Sequence, residues 1–439
     1  MGNKLGMAQL LYKRAPQRSG NCVELLRCGA EFFPALIQAI ESAQSEICLQ
    51  TYTFALDDTA LAVRAALCKA AERGVVVKLV IDGFGSLETI VEHEKVLAKT
   101  KVQLRVFRRE GWFFHPNPRR LRRMHRKLVV VDRQIAFVGG INVVDDNNQE
   151  QEQETLRELK EKVNEVSRAN ANLLKGDLGP RYDFAVRLQG PVVHDVWLAT
   201  EWLWWRLSSK GNMPDTSRMK RWSGRAHDLR QILSEQAHAK PPAVQGKARV
   251  QFLVRDNLRF RRTIEKAYLK ALGEARESVL IANAYFLPGR RVRRALKEAT
   301  RRGVKVRVLL QGRVEYRFQH YATMALYSEM LKSGVEIHEY LRSFLHAKVA
   351  VIDGHWATVG SSNLDPLSML VAREANVVID DKTFAAELAE SVNHAIASEA
   401  RQIKLEQHAQ RPLTERFYSW VCYRLLKLSL LLTGFAQRY

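Results

Sequence analysis

Nothing in this sequence reads as the apolar core of a signal peptide or as a membrane span. The opening MGNKLGMAQLLYKRAPQRSG has no sustained apolar run and no Ser or Thr at position 6 for a myristoylation signal. No stretch reaches the roughly 18 uninterrupted apolar residues of a spanning helix. The bulk of the chain is therefore expected in the cytosol, with membrane contact, if any, peripheral. Cysteine is scarce: Cys22, Cys28, Cys48, Cys68 and Cys422 are odd in number and form no CxxC pair, so neither a disulfide framework nor a thiolate zinc site is indicated. Acid is also in short supply. The 47 Asp plus Glu face 69 Lys plus Arg, a formal charge of +22, which favours a polyanionic partner without choosing between nucleic acid and acidic lipid.

What is present is a repeat. The 439 residues, 46% of them hydrophobic, are enough for two ordinary cores. EICLQTYTFALDDTALAVRAALCKAAERGVVVKLVIDG, starting at Glu46, returns in outline as ESVLIANAYFLPGRRVRRALKEATRRGVKVRVLLQG, starting at Glu277. Each reads strand, loop, helix, strand: Ile47–Tyr52 and Val279–Tyr285 as strands, Leu61–Arg73 and Val292–Arg302 as helices closed by Gly74 and Gly303, then Val75–Ile81 and Val304–Leu310 as strands covered on both faces. A second block is sharper. MHRKLVVVDRQIAFVGGIN matches LHAKVAVIDGHWATVGSSN, and His125, Lys127, Asp132, Gly139 and Asn142 recur 221 residues on as His346, Lys348, Asp353, Gly360 and Asn363. One offset across five landmarks means duplication. The expected fold class is α/β, with two pseudo-symmetric α/β/α sandwich lobes sharing one active site.

The segments expected are an N-terminal extension (1–21), a first lobe (22–207) carrying a charged insertion at 147–176, a polar, Pro-interrupted linker (208–247), a second lobe (248–400) and a C-terminal apolar and basic helix (401–439). The insertion is absent from the second half and reads as a solvated helix or a flap.

Residues two apart on a strand share a face, so His125 and Lys127 project together, as do His346 and Lys348. Lobes packed about a pseudo-twofold axis bring two imidazoles, two ammonium groups and the amides of Asn142 and Asn363 around one phosphate. Transfer at phosphorus needs an in-line nucleophile, a proton donor opposite, and positive charge on the non-bridging oxygens. One His forms a phosphohistidine while the other protonates the leaving alkoxide and then deprotonates the incoming alcohol. No metal or cofactor is expected, because the lysines supply the charge. Asp183 and Glu374 are the candidates for orienting the imidazoles. Asp132 and Asp353 are grouped with the catalytic residues, with bracing the site or closing a turn also open to them. Gly139 and Gly360 are placed on the substrate side with the two asparagines.

HRKLVVVD and HAKVAVID resemble the paired HKD motifs of the phospholipase D superfamily. Within it, RRMHRKLVVVDRQIAFVGGIN, DFAVRLQGPVV, IANAYFLPG and HWATVGSSNLDPLSMLVAREANVVI are similar to bacterial cardiolipin synthases of the B type, over about Val23 to Ile396. The resemblance implies transfer of a phosphatidyl group from one phosphatidylglycerol to another with release of glycerol, His125 attacking and His346 acting as general acid. It implies anionic phospholipid as partner rather than nucleic acid, and a peripheral place on the cytoplasmic side of the inner membrane. A hydrolase of the same superfamily, phospholipase or nuclease, would use the same residues with water as acceptor. A noncatalytic lipid-binding scaffold would be expected to have lost a histidine.

Three features point toward lipid. In FYSWVCYRLLKLSLLLTGFAQRY, Arg416, Arg424, Lys427 and Arg438 fall within about 80° of one another on a helical wheel, a basic stripe on an apolar helix whose Phe417, Trp420 and Phe435 would enter a headgroup layer. The same helix could instead dock on its own protein. The basic run Arg119–Lys127 abuts the first motif and is suited to gathering anionic lipid. Trp112, Phe113 and Phe114 read either as a loop tip at the interface or as core.

Overall fold

A run such as Lys127–Val131, buried at every position, belongs inside a sheet covered on both faces. Both halves of the chain contain a series of such runs. The computed structural model describes residues 15–109, 122–147, 179–208, 242–256, 260–314, 316–370 and 372–432. The aromatic stretch Trp112–Phe114, Arg119 to Leu121, nearly all of the 147–176 insertion, the body of the linker, Phe435 and Arg438 lie outside the described residues.

The first half runs β1 (Gln17–Arg27), α1 (Cys28–Ser42), β2 (Glu46–Thr51), α2 (Asp58–Glu72), β3 (Val76–Asp82), α3 (Ile90–Leu97), β4 (Gln103–Phe107), β5 (Lys127–Val131), β6 (Ile135–Gly139), β7 (Phe184–Gln189) and α4 (Val193–Ser208). The second runs β8 (Ala248–Arg255), α5 (Thr263–Glu274), β9 (Ser278–Asn283), α6 (Arg290–Arg301), β10 (Lys305–Gln311), α7 (Arg317–Leu331), β11 (Glu336–Tyr340), β12 (Lys348–Ile352), β13 (Trp356–Gly360), α8 (Pro366–Leu370), β14 (Glu374–Asp380) and α9 (Lys382–Glu399). β15 (Ala400–Ile403), α10 (Leu405–Ala409) and α11 (Leu413–Leu432) follow. Local chemistry sets the helix ends. The Asp57 carboxylate accepts from the Ala60 N–H, so α2 starts ahead of its apolar periodicity. Gly74 and Gly303, at φ of +95° and +85°, follow the caps of α2 and α6 in the left-handed conformation that favours glycine.

Strand order from one edge is β4-β3-β2-β5-β6-β7-β1, then β8-β14-β13-β12-β9-β10-β11, with β15 added at the far edge. The two sevens are the same series reversed, parallel from β2 to β4 and from β9 to β11 and antiparallel elsewhere. The halves therefore do not form two separate sheets. β1 pairs antiparallel with β8, through an irregularity between Arg18 and Asn21 where Gly20 takes a φ of +87°. The joined sheet folds back so that β6 and β7 face β13 and β14. One core fills that space, Val186, Leu188 and Val196 meeting Val254, Val349 and Leu388. Outside it, Leu36 and Leu67 of α1 and α2 cover the first half, and Tyr268, Leu296 and Leu326 of α5, α6 and α7 cover the second.

Asp132 and Asp353 do not join the histidines, which corrects their grouping with the catalytic residues. They follow β5 and β12 at the ends remote from His125 and His346, each at a φ of +50°. Asp132 accepts the backbone N–H groups of Gln44, Ser45 and Glu46, and Asp353 those of Arg276, Glu277 and Ser278. Burial opposes their ionisation, but these donors outweigh it and hold both carboxyls below the ordinary range. Each aspartate staples the turn after the motif strand to the start of the strand beside it. Asp353→Ala should lower the unfolding free energy by about 1–3 kcal/mol, the cost of orphaning such donors, while turnover per folded molecule is kept. Urea denaturation alongside active-site titration checks this.

Candidate active site

Two short cross-lobe ladders place the histidines. The His125 N–H donates to the carbonyl of Arg373 at 3.0 Å, and the Arg373 N–H to that of Arg123 at 2.8 Å. In the other half the His346 N–H donates to Tyr182 O at 2.8 Å, and the Tyr182 N–H to Phe344 O at 2.9 Å. Each motif strand is thus entered through backbone bonds to the opposite lobe. Within each lobe a polar residue at the end of the third strand of the repeat fixes the approach: Asp82 accepts the Met124 N–H at 2.8 Å, and Gln311 accepts the Leu345 N–H at 2.6 Å.

The residues after those ladders, Arg373 and Tyr182, are followed by the carboxylates. Glu374 and Asp183 are 191 residues apart, short of the motif offset by 30, and that difference is the length of the 147–176 insertion. They are equivalent in the sheet, since Gly139 pairs with Ala185 and Gly360 with Asn376. The contacts cross the lobes. His125 Nδ1 lies 3.1 Å from Glu374, and His346 Nδ1 lies 2.6 Å from Asp183. The ring nitrogens carry no observed hydrogens, but an ionised carboxylate only accepts, so each Nδ1 donates and each Nε2 is left with its lone pair. The carboxylates are sealed, at 0% and 2% exposure, whereas 20% and 12% of the His125 and His346 side chains stay open to a ligand.

Lys127 and Lys348 are buried beside the rings and donate to the carbonyls of His125 and His346. Burial and then Lys348 pull Lys127 down to about 7. Burial followed by Lys127 lowers His125. Burial, Lys348 and Arg181 hold His346 well below its ordinary value, with His125 contributing. Asp183 is pushed up to about 6 by burial, while Glu374 stays below the ordinary range because His125, Lys127 and Ser361 outweigh its burial. Both lysines act on both imidazoles, and Lys348 on Lys127, so all four groups share one pocket. Such a pocket is built to receive an anion.

Of the remaining expected residues, Asn142 and Asn363 are both buried. The Asn142 Oδ1 accepts the Thr53 N–H at 3.2 Å, while the Asn363 Oδ1 has no hydrogen-bond partner. Gly139 and Gly360, expected on the substrate side, serve packing instead. A Cβ on Gly139 would come 2.5 Å from the Cα of Ala185, and one on Gly360 would meet the Asn376 carboxamide. The glycine that matters to the site is Gly140, where a Cβ would run into the Asp183 carboxylate. Its counterpart is Ser361, whose hydroxyl donates to Glu374 at 2.5 Å. Sequence reasoning missed both, along with Tyr52, whose ring centre lies 5.0 Å from that of His125. Asp82 and Gln311 had a visible signal, since each precedes a glycine at the end of the first repeat block.

A candidate metal cluster among the described residues lies elsewhere, at Glu46, Cys48 and Glu201. Lys78 at 2.6 Å from Glu201 and Arg133 at 2.5 Å from Glu46 already balance its charge, and burial pushes the Cys48 thiol well up. It offers a cation little.

A family model described as cardiolipin synthase, PLD-like domain, matches residues 36–175 and 268–396. Over 388 residues the chain is 37% identical to cardiolipin synthase B of Escherichia coli K12, covering 88% of this chain and 83% of that protein. Cardiolipin synthase B of Salmonella typhi is 38% identical over 395 residues, with the same coverage. In fold the chain is similar to phosphatidylserine synthase from Haemophilus influenzae Rd KW20, with a TM-score of 0.61 over 98% of each chain at 14% identity. Both family segments contribute a histidine and a lysine to the pocket, and the match and the identities together establish that the chain belongs to the cardiolipin synthase family with the PLD-like domain.

Proposed function

We propose that the protein is a phosphatidyltransferase that makes cardiolipin from two molecules of phosphatidylglycerol and releases glycerol. The observation that carries this reading is the crossed pair: two imidazoles beside the motif lysines, each held at Nδ1 by a carboxylate of the other half, which leaves Nε2 for the substrate. His125 Nε2 attacks phosphorus as the bond to the headgroup glycerol oxygen breaks, and His346 gives that oxygen its proton. The hydroxyl of a second phosphatidylglycerol then loses its proton to His346 as its oxygen attacks phosphorus, and the P–N bond breaks. Lys127, Lys348, Asn142 and Asn363 surround the non-bridging oxygens. Burial, Lys348 and Arg181 lower the proton affinity of His346; the diester's negative charge raises it on binding and so arms the acid.

Among the described residues no helix is long and apolar enough to cross a membrane. The helix α11 has one docked face and one exposed face. One face docks through Ser419, Cys422 and Leu430, all buried. The other leaves Leu413, Phe417, Trp420, Leu428 and Leu431 at least half exposed, with Arg416 and Arg424 exposed beside them. This pattern suits the anionic cytoplasmic face of the inner membrane, which is where we place the enzyme.

With phosphatidylglycerol vesicles the purified protein should yield cardiolipin and glycerol, and His125→Ala and His346→Ala should each lose at least about 10³-fold in rate. Phosphatidic acid as the main product would make it a hydrolase, and a variant that keeps its rate would remove that histidine from the chemistry. The pH dependence follows from the same pocket. Lys127 must be charged to bind the diester, so kcat/KM falls as pH rises through about 7. On the acid side Asp183 protonates below about 6 and releases the His346 tautomer. Lys127→Arg, whose charge persists, should carry the alkaline limb upward by about one unit or more; an unmoved limb would assign that limb to another group.

A further inference from the structure

Beneath α11 lies a cavity that the reaction does not use. Its volume is about 430 Å³, within the range of small-ligand pockets. The crevice beside Gln311, at about 20 Å³, has room for only a water. The large cavity has apolar walls drawn from Leu287, Val292, Leu326, Leu364, Leu426 and Leu430. Its rim is cationic, with Arg290, Arg291 and Lys427. Both arginines are exposed in the first turn of α6, which has no acidic residue there and no side-chain cap. Two cations at that end oppose the helix dipole, and neither forms an ion pair among the described residues. The carboxylate that faces the cavity, Glu265, is engaged by Arg262 at 2.6 Å. Leu431 belongs both to the cavity wall and to the exposed apolar face of α11, so the cavity is continuous with the surface placed against the membrane.

We propose that this cavity seats one acyl chain of an anionic phospholipid, with the lipid phosphate held by Arg290, Arg291 and Lys427, as a lipid site separate from the catalytic pocket. The chemistry selects the occupant. A free phosphate leaves the leucine walls unfilled, and a lipid without net charge leaves the rim uncompensated. The proposal rests on the interfacial reading of α11, which supplies the lipid. The cavity also reaches toward the reaction: Leu364 follows Asn363 directly, and its carbonyl accepts the Leu287 N–H at 2.9 Å. A seated chain therefore packs against the loop that presents Asn363.

The test uses the full chain on phosphatidylglycerol vesicles doped with a phosphatidylglycerol whose acyl chain ends in a photoreactive diazirine, with adducts mapped by mass spectrometry. Labelling is expected at Leu326, Val292, Leu426 and Leu430, as well as at Phe417 and Trp420 on the outer face. Leu430→Trp, which fills the cavity, should cut the inner labelling about tenfold, or about 1.4 kcal/mol of occupancy, and leave outer labelling and vesicle co-sedimentation unchanged. Arg290→Gln with Arg291→Gln should do the same without altering the walls. Outer labelling alone in the native chain overturns the cavity proposal while sparing the interfacial one. Loss of vesicle binding altogether would instead sink the interfacial reading. Inner labelling that rises when the chain is ended at Leu432 shows that residues 433–439 fill the space, and it too overturns the proposal.

Discussion

Everything at this site depends on one exchange: each half of the chain supplies a histidine to the pocket and a carboxylate to the other half's histidine. Neither half holds a complete set. The hydrogen bonds that make the exchange, His125 to Glu374 and His346 to Asp183, exist only when the lobes meet in one register. That register is set by the backbone ladders at Arg373 and Tyr182 and by the shared core between β6–β7 and β13–β14. Burial makes the arrangement demanding, because a carboxylate sealed from water must find its partners inside the protein. The large apolar interface between the lobes is thus the means by which the imidazoles are aimed.

The same burial sets the electrostatics. Burial and Lys348 lower the proton affinity of Lys127, and both lysines join burial in lowering that of the two imidazoles, with Glu374 offsetting part of this at His125. A phosphodiester adds negative charge beside these groups and so raises their proton affinity. Affinity for an anion and readiness to transfer protons are then two faces of one imbalance. The aspartates at the remote ends of β5 and β12 take no part. They fix the turns that keep the strands in place.

The duplication, the strand-helix-strand units and the histidines and lysines were legible in the sequence because each rests on local pattern: period-two strands, glycine-stopped helices and a constant offset. Asp183 and Glu374 were legible as candidates, but which histidine each serves was not, since that depends on how two lobes meet. Asp132 and Asp353 misled because proximity in a motif is not proximity in space. Five strand residues carry them to the opposite end of the sheet. Gly139 and Gly360 misled similarly, as their conformation-free side has neighbours that only the sheet register reveals. Ser361 and Gly140 were missed because their meaning lies in a carboxylate on the adjacent strand. The continuous sheet was hidden as well: β1 and β8 precede the aligned blocks, and nothing in either strand announces the other as its partner.

The repeat is imperfect where it touches the chemistry. Ser361 holds Glu374 where Gly140 merely yields to Asp183, and the ring beside His125 is Tyr52, just past β2, where Ala284 just past β9 is its counterpart in the other half. In a strictly twofold pocket the two imidazoles would be interchangeable, and a diester could enter with equal ease in either orientation. Broken symmetry removes that degeneracy. Fused in one chain, the halves are free to differ residue by residue, so that the two imidazoles sit in unlike surroundings.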